Sequence, residues 1–315
     1  MHTFKPYEWM QAGTLTGGDD KVKTLLGIVA SPRKYGNCEL FLKELYLNLP
    51  QDAWSLRLIR LSELNIQPCL GCYQCLFGEM KCVQRDDLQL FLDALVSADA
   101  VAVAVPTYFL GANASLKRLL DRGLSFYAHL NTLWGKPAVG AAIAGVPGLE
   151  GYTKLIVDSF LKLTLTDHRG SEVVYGALPG EIFLDGVAKA AAARLAEALC
   201  GGGSEEAGSA PRCPVCGGDT FRFLPETSPR PDGAVAVRCM LCSSAGTLKA
   251  ADGRIQISTR PSEHPLFLTR EDAERHLEWL RGMKEAFLVR HKELKAVVQA
   301  YTAIGEWIRP ENRTR

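Results

Sequence analysis

The sequence predicts an α/β protein built on a flavodoxin-like, doubly wound, five-stranded parallel sheet, with a small four-cysteine metal module and a long C-terminal helix after it. Three observations predict this. From Lys23 onward, short apolar runs alternate with segments that are apolar on one helical face. The apolar runs show no polar alternation, as expected of strands covered on both sides by helices. Eight of the ten cysteines fall into two groups of four, the second lying beyond a Gly/Ser-rich break.

The elements follow in order. Leu25–Ala30 is the first strand and stops at Ser31-Pro32; residues 39–49 carry Phe41, Leu42, Leu45 and Leu49 at helical spacing, and Pro50 closes the segment. Trp54–Leu61 is the second strand and Asp87–Val96 the second helix. Ala100–Val105 is a strand of small apolar residues ending at Pro106, followed by a helix over Ser115–Phe126. Pro137–Ala144, Tyr152–Leu163, Glu172–Tyr175 and Gly186–Leu199 read as strand, helix, strand and alanine-rich helix. Five strands in this length fit a doubly wound sheet, whose ligands bind at the carboxyl ends of the strands. Thr269, with Asp272 three residues on, opens a helix as a capping box. Ala273, Leu280, Phe287, Leu294, Tyr301 and Ile308 then recur every seven residues, a seam for a helix or a second subunit.

Length and composition set limits. With 315 residues, 47% hydrophobic and 23% charged, the chain has material for about two domains. The expected division is an N-terminal arm 1–22, a sheet domain 23–200, a linker 201–211, the four-cysteine module 212–262 and a helical segment 263–315. A formal net charge of +1 argues against a nucleic-acid partner bound through a broad basic field. No apolar run reaches the ~20 residues of a membrane helix, and residues 1–20 lack the apolar core of a secretory signal. A cytoplasmic protein is expected, and with it reduced thiols rather than disulfides.

Ser31, Arg33, Gly36, Asn37 and Cys38 join the first strand to the first helix, where backbone N–H groups and a helix N-terminus suit a phosphate. These residues, with Pro106-Thr107-Tyr108-Phe109, Leu116-Lys117 and Asp121-Arg122, resemble the NADPH-dependent FMN reductase group of flavodoxin-like proteins over residues 23–200. The resemblance implies that the first piece holds the FMN phosphate. Pro106, Thr107, Tyr108, Phe109 and Leu110 would lie along the isoalloxazine, with Gly145 and Val146 at the ring edge. Cys38 departs from the Ser or Thr usual there; a thiol is a weaker donor, and packing in the core is its other reading. The flavin carries the chemistry, so no catalytic side chain is expected.

Cys69, Cys72, Cys75 and Cys82 read C-x2-C-x2-C-x6-C, a compact spacing that favours a [4Fe–4S] cluster over zinc, which usually takes two separated pairs. The group follows the second strand, on the same rim as the flavin loops. That combination resembles the iron–sulfur flavoproteins, a branch of the same family. Cys213, Cys216, Cys239 and Cys242 form two C-x2-C knuckles with 22 residues between them, a tetrahedral four-thiolate pattern similar to a zinc ribbon and to rubredoxin. Zinc is favoured, because Ser243 stands where rubredoxins carry glycine; a single iron is the alternative. The six histidines show no metal or triad spacing and read as surface or core residues.

The function expected is a flavin- and cluster-dependent oxidoreductase passing electrons between a two-electron donor such as NAD(P)H and one-electron carriers such as ferredoxin. One alternative is an NAD(P)H-dependent FMN or quinone reductase whose first cysteine group stays as thiols. Another is a redox-sensing flavin domain with a zinc-ribbon interaction module. The resemblance also implies a homodimer or homotetramer.

Overall fold

The first strand, β1 (Lys23–Val29), turns Leu26 and Ile28 to one face of a sheet and Leu25 and Val29 to the other, and all four are buried. The same two-sided burial recurs in β3 (Ala100–Tyr108) and β5 (Pro137–Ala144). A computed structural model describes residues 22–201, 211–225, 233–251, 253–302 and 304. The expected N-terminal arm, apart from Val22, and nearly all of the linker lie outside the described residues. With β2 (Trp54–Arg60) and β6 (Asp167–Tyr175), the parallel strands run in the order β2-β1-β3-β5-β6. That is the flavodoxin order, with the switch point between β1 and β3.

Helices cover both faces. α1 (Asn37–Leu47) and α6 (Val187–Leu199) pack on one side through Phe41, Leu45, Ala192 and Leu195. α2 (Leu88–Ser97), α3 (Ala114–Asp121) and α5 (Thr153–Leu163) pack on the other through Phe91, Leu95, Leu116, Leu119, Phe160 and Leu161. α4 (Leu130–Leu133) is a single turn on that side.

Three expectations are corrected. The helix over Ser115–Phe126 ends at Asp121, and a 3-10 segment over Gly123–His129 continues the chain. The last parallel strand begins at Asp167 rather than Glu172; it is an edge strand, and its half-exposed polar start hides it from a search for apolar runs. The third strand does not stop at Val105. It runs to Tyr108 and folds back as a two-residue strand, β4 (Gly111–Ala112), pairing Thr107 with Ala112 and Tyr108 with Gly111.

Beyond the linker, β7 (Phe221–Phe223), β8 (Val235–Cys239), β9 (Ala245–Ala251) and β10 (Arg254–Arg260) form an antiparallel sheet in the order β10-β9-β8-β7. α7 (Arg270–Val289) then starts with the expected capping box between Thr269 and Asp272. A break at Arg290 separates it from α8 (His291–Gln299). The seven-residue seam therefore works only at its start: Ala273 and Leu280 are buried, Phe287 and Tyr301 are exposed, and Ile308 lies outside the described residues. Among the described residues no helix is long and apolar enough to cross a membrane.

Candidate functional site

The β1–α1 loop owes its shape to residues the motif did not include. Arg60, at the end of β2, donates from Nη1 to the carbonyls of Ser31 and Arg33, both at 3.0 Å, and from Nη2 to Glu39 Oε2 at 2.6 Å. The same carboxylate oxygen accepts the Tyr35 N–H at 2.8 Å, holding Tyr35 in a left-handed turn at φ 53°. Burial alone would raise the Glu39 carboxyl, but its bonds to Lys43, the Tyr35 amide and Arg60 outweigh it and lower it to about 2. Gly36 caps α1 without a side-chain bond, so the first-turn amides face the mouth of the loop, the arrangement that suits an anion.

Within this loop the side chains divide. Ser31 Oγ accepts the Arg33 N–H at 3.2 Å. Arg33 is exposed and donates to the Ala177 carbonyl at 3.0 Å. Asn37 commits its amide to the loop after β6, donating to the Gly176 carbonyl at 2.9 Å and accepting the Gly180 N–H at 2.8 Å. Beside these two bonds Asn37 keeps a second side-chain N–H and its backbone N–H at the head of α1. Cys38 points into the core beside Leu25 and Phe41, and burial pushes its thiol up to about 12. Of the two readings of Cys38, packing describes its side chain.

The segments expected to frame a flavin ring stand together on the same rim. Pro106 and Thr107 are half-buried, and Thr107 Oγ1 donates to Thr153 Oγ1 at 2.9 Å. Tyr108, Phe109 and Leu110 form the hairpin tip, Phe109 wholly exposed, with φ 49° at Phe109 and 64° at Leu110. Two left-handed non-glycine residues in sequence are a strained turn. The tip leans on the β5–α5 loop, which begins with the exposed Gly145 and Val146: Tyr152 N–H donates to the Leu110 carbonyl at 2.8 Å. A Cβ on Gly151 would lie 2.1 Å from that carbonyl oxygen, so only glycine allows the approach.

The first cysteine group occupies the β2–α2 connection. Gly71, Tyr73, Gly78 and Met80 all have left-handed φ, wrapping the loop tightly. Cys69 and Cys72 are exposed, while Cys75 and Cys82 are half-buried. Two of the sulfurs meet a donor: the Gly71 N–H at 3.4 Å from Cys69 and Arg122 Nη2 at 3.0 Å from Cys82. Burial raises the Cys75 thiol, Ser125 opposes this, and the nearby Cys82 and Cys69 add to it. Sulfurs already supplied with N–H donors fit metal-bound thiolate. α7 covers the loop. Leu277 and Leu280 pack on the fully buried Leu76, and Arg281 donates to the Leu76 carbonyl at 3.0 Å and to Met80 Sδ at 3.3 Å.

The second cysteine group is tighter. All four sulfurs lie within 4.8 Å of one another, with Cys213–Cys242 at 3.8 Å and Cys216–Cys239 at 3.6 Å. Thiolates at ~2.3 Å from one ion stand about 3.8 Å apart, so the donor set fits a single tetrahedral metal. The two knuckles repeat one geometry. Cys213 N–H donates to the Gly218 carbonyl and Gly217 N–H to the Cys213 carbonyl; Cys239 to Ser244 and Ser243 to Cys239 match them. Gly217 and Ser243 both take a left-handed φ, so Ser243 fills the turn that glycine fills in the other knuckle.

This unit sits on α5: Cys213, Leu241 and Phe267 cluster with Leu155 and Leu163, and Lys154 bridges Asp158 and Asp219 at 2.9 Å each. Two histidine arrangements escaped the sequence reading because their partners are distant in the chain. His168 is half-buried, 3.4 Å from Asp158 and 3.0 Å from Ser171 Oγ. His264 and His276 share a hydrogen bond of 2.7 Å beside Trp279.

With this sheet and these loops on its carboxyl rim, similarity to known proteins makes the chain a flavin-dependent oxidoreductase. Residues 24–164 match the NADPH-dependent FMN reductase family. An iron–sulfur flavoprotein of Archaeoglobus fulgidus is 32% identical over 180 residues, covering 55% of this chain and 79% of that protein. A second, from Methanocaldococcus jannaschii, is 33% identical over 140 residues, covering 44% and 71%. The chain belongs to the iron–sulfur flavoprotein family. A solved structure of a flavone reductase superposes with a TM-score of 0.66 over 91% of this chain and 100% of its own, at 19% identity, a likeness of fold.

Proposed function

We propose that the protein passes electrons between a two-electron donor such as NAD(P)H and a one-electron carrier such as ferredoxin, using FMN and a [4Fe–4S] cluster on Cys69, Cys72, Cys75 and Cys82. FMN takes up electron pairs as hydride and releases them singly, and the cluster carries one at a time. The observation that carries the reading is the shared rim: the phosphate loop after β1, the cysteine loop after β2 and the ring loops after β3 and β5 all leave the carboxyl ends of parallel strands.

In this reading the amides of Asn37 and Cys38, at the head of α1, and the exposed cation of Arg33 hold the FMN phosphate. Ser31 and Gly36 shape the turn. Pro106–Leu110, with Gly145 and Val146, frame the ring, and no acid or base side chain is required of the chain. Cys213, Cys216, Cys239 and Cys242 hold a structural zinc that staples the antiparallel sheet.

The deciding experiment is metal, acid-labile sulfide and flavin analysis of anaerobically purified protein. About four iron, four sulfide and one zinc per chain, with one FMN, are expected. Flavin with no iron would replace this reading with an NAD(P)H-dependent flavin or quinone reductase. A fifth iron in place of zinc would make the second site a further electron carrier.

A further inference from the structure

Arg122 is the residue whose placement the proposed function leaves unexplained. It follows α3, is 2% exposed, and carries a guanidinium whose burial costs several kcal/mol unless it is paired. Asp86, equally buried, pairs with it: Nη1 to Oδ2 at 2.6 Å and Nη2 to Oδ1 at 3.4 Å. Nη1 also donates to the Gln67 carbonyl at 2.8 Å. Asp86 in turn accepts the N–H groups of Gln67 at 2.9 Å and Leu88 at 3.2 Å. The pair thus ties the entrance of the cysteine loop to its exit.

Bracing the loop needs only those bonds, yet the fork makes one more. Nη2 lies 3.0 Å from Cys82 Sγ. A thiol sulfur is a weak acceptor, whereas a thiolate bound to iron carries charge that a guanidinium N–H meets strongly. The position also links the two halves of the site. α3 starts beside the ring loop, where Asn113 N–H donates to the Pro106 carbonyl, and ends at Arg122, a span of ~12 Å.

Resting on the cluster reading above, we infer that Arg122 is a positioning residue that sets the reduction potential of the cluster through its bond to the Cys82 sulfur, with Asp86 limiting the effect of its charge. A cation and donor at a ligand sulfur favours the reduced, more negative cluster. Removing it lowers the potential, and removing the countercharge raises it.

The test is an anaerobic potentiometric titration of the loaded, full-length protein, following the cluster by electron paramagnetic resonance. Arg122→Gln is expected to cut the reduced-to-oxidised ratio at a fixed potential about tenfold, a shift of about 59 mV downward for a one-electron couple. Asp86→Asn is expected to shift it upward. A brace with no electronic role would weaken loading or stability and move neither potential. Loaded variants that keep the wild-type potential, or that shift in the same direction, overturn the inference. Should Arg122→Gln not fold, Asp86→Asn decides alone: an upward shift supports the inference, and an unchanged or lower value overturns it. A wild type free of iron and sulfide would instead overturn the reading beneath it.

Discussion

Arg60 shows how a binding loop depends on a residue outside its motif. Its two bonds to loop carbonyls and its pair with Glu39 fix the backbone of the loop proposed to hold the phosphate. Each charge-assisted bond is worth roughly 1.5–3 kcal/mol, so Arg60→Gln should weaken FMN binding about tenfold or more. Flavin fluorescence during titration of the apoprotein measures this, and an unaltered affinity would show the loop to be self-supporting. That Ser31, Gly36 and Pro106–Leu110 stand on the carboxyl rim of the sheet was legible, because their types and chain positions suffice to place them there. Arg60 was not, because nothing at the end of β2 signals which loop its side chain braces. His168 was hidden for the same reason, its partner Asp158 lying on α5. Burial pushes the His168 imidazole down to about 4, and Asp158 offsets only part of that. The folded protein therefore keeps it neutral while the unfolded chain takes up a proton near pH 6.5. Stability is full above that pH and falls as pH drops from 6.5 toward 4, by of order 3 kcal/mol. Melting curves across this window should be flatter for His168→Asn than for wild type; parallel curves would assign the acid sensitivity elsewhere.

At the scale of elements, α7 does two jobs with two halves. Its first half buries Ala273, Leu277 and Leu280, and its second half leaves Phe287, Leu288 and Val289 exposed. The seven-residue repeat was legible from end to end, but it reports only that apolar side chains share a stripe. It does not say where the surface beneath that stripe ends. Leu280 lies on Leu76, inside the cysteine loop. Leu280→Glu would put a charge against that contact and lift the helix from the loop, at a cost of several kcal/mol in the packed state. Iron release to a chelator should then accelerate, read by absorbance under anaerobic conditions; an unchanged rate would mean that the loop holds its metal unaided. The hairpin at Tyr108–Gly111 was illegible for a different reason. Phe109 and Leu110 are not turn-forming types, and their left-handed backbone is imposed by the β5–α5 loop through Gly151 and Tyr152.

On the scale of the whole molecule, the parallel sheet and the four-cysteine unit differ in what holds them together. The sheet has two apolar faces filled by helices, whereas the second unit has a small cluster around Cys213, Cys239 and Cys242 against α5. A core that small would lean on a metal held by the four sulfurs. Cys216→Ser with Cys242→Ser should lose one metal per chain and the hydrogen-exchange protection of β7–β10, while FMN stays bound to the sheet. Simultaneous loss of flavin would show that the two units fold as one. That a four-cysteine module accompanies the parallel sheet was legible in the cysteine spacing. The packing of the unit on α5 was not, since Lys154 and Asp219 are an ordinary lysine and aspartate until the fold pairs them.

Arg281 and Leu76 meet across 205 residues of chain. Contacts so remote in sequence form late, because the entropy of closing the intervening chain is lost before they give anything back. During synthesis, then, the cysteine loop and all five parallel strands leave the ribosome well before the helix that will cover that loop. Iron and sulfide delivered to the nascent chain would meet a loop that α7 has yet to cover; delivered after release, they would find Cys69 and Cys72 still exposed but Cys75 and Cys82 half-buried.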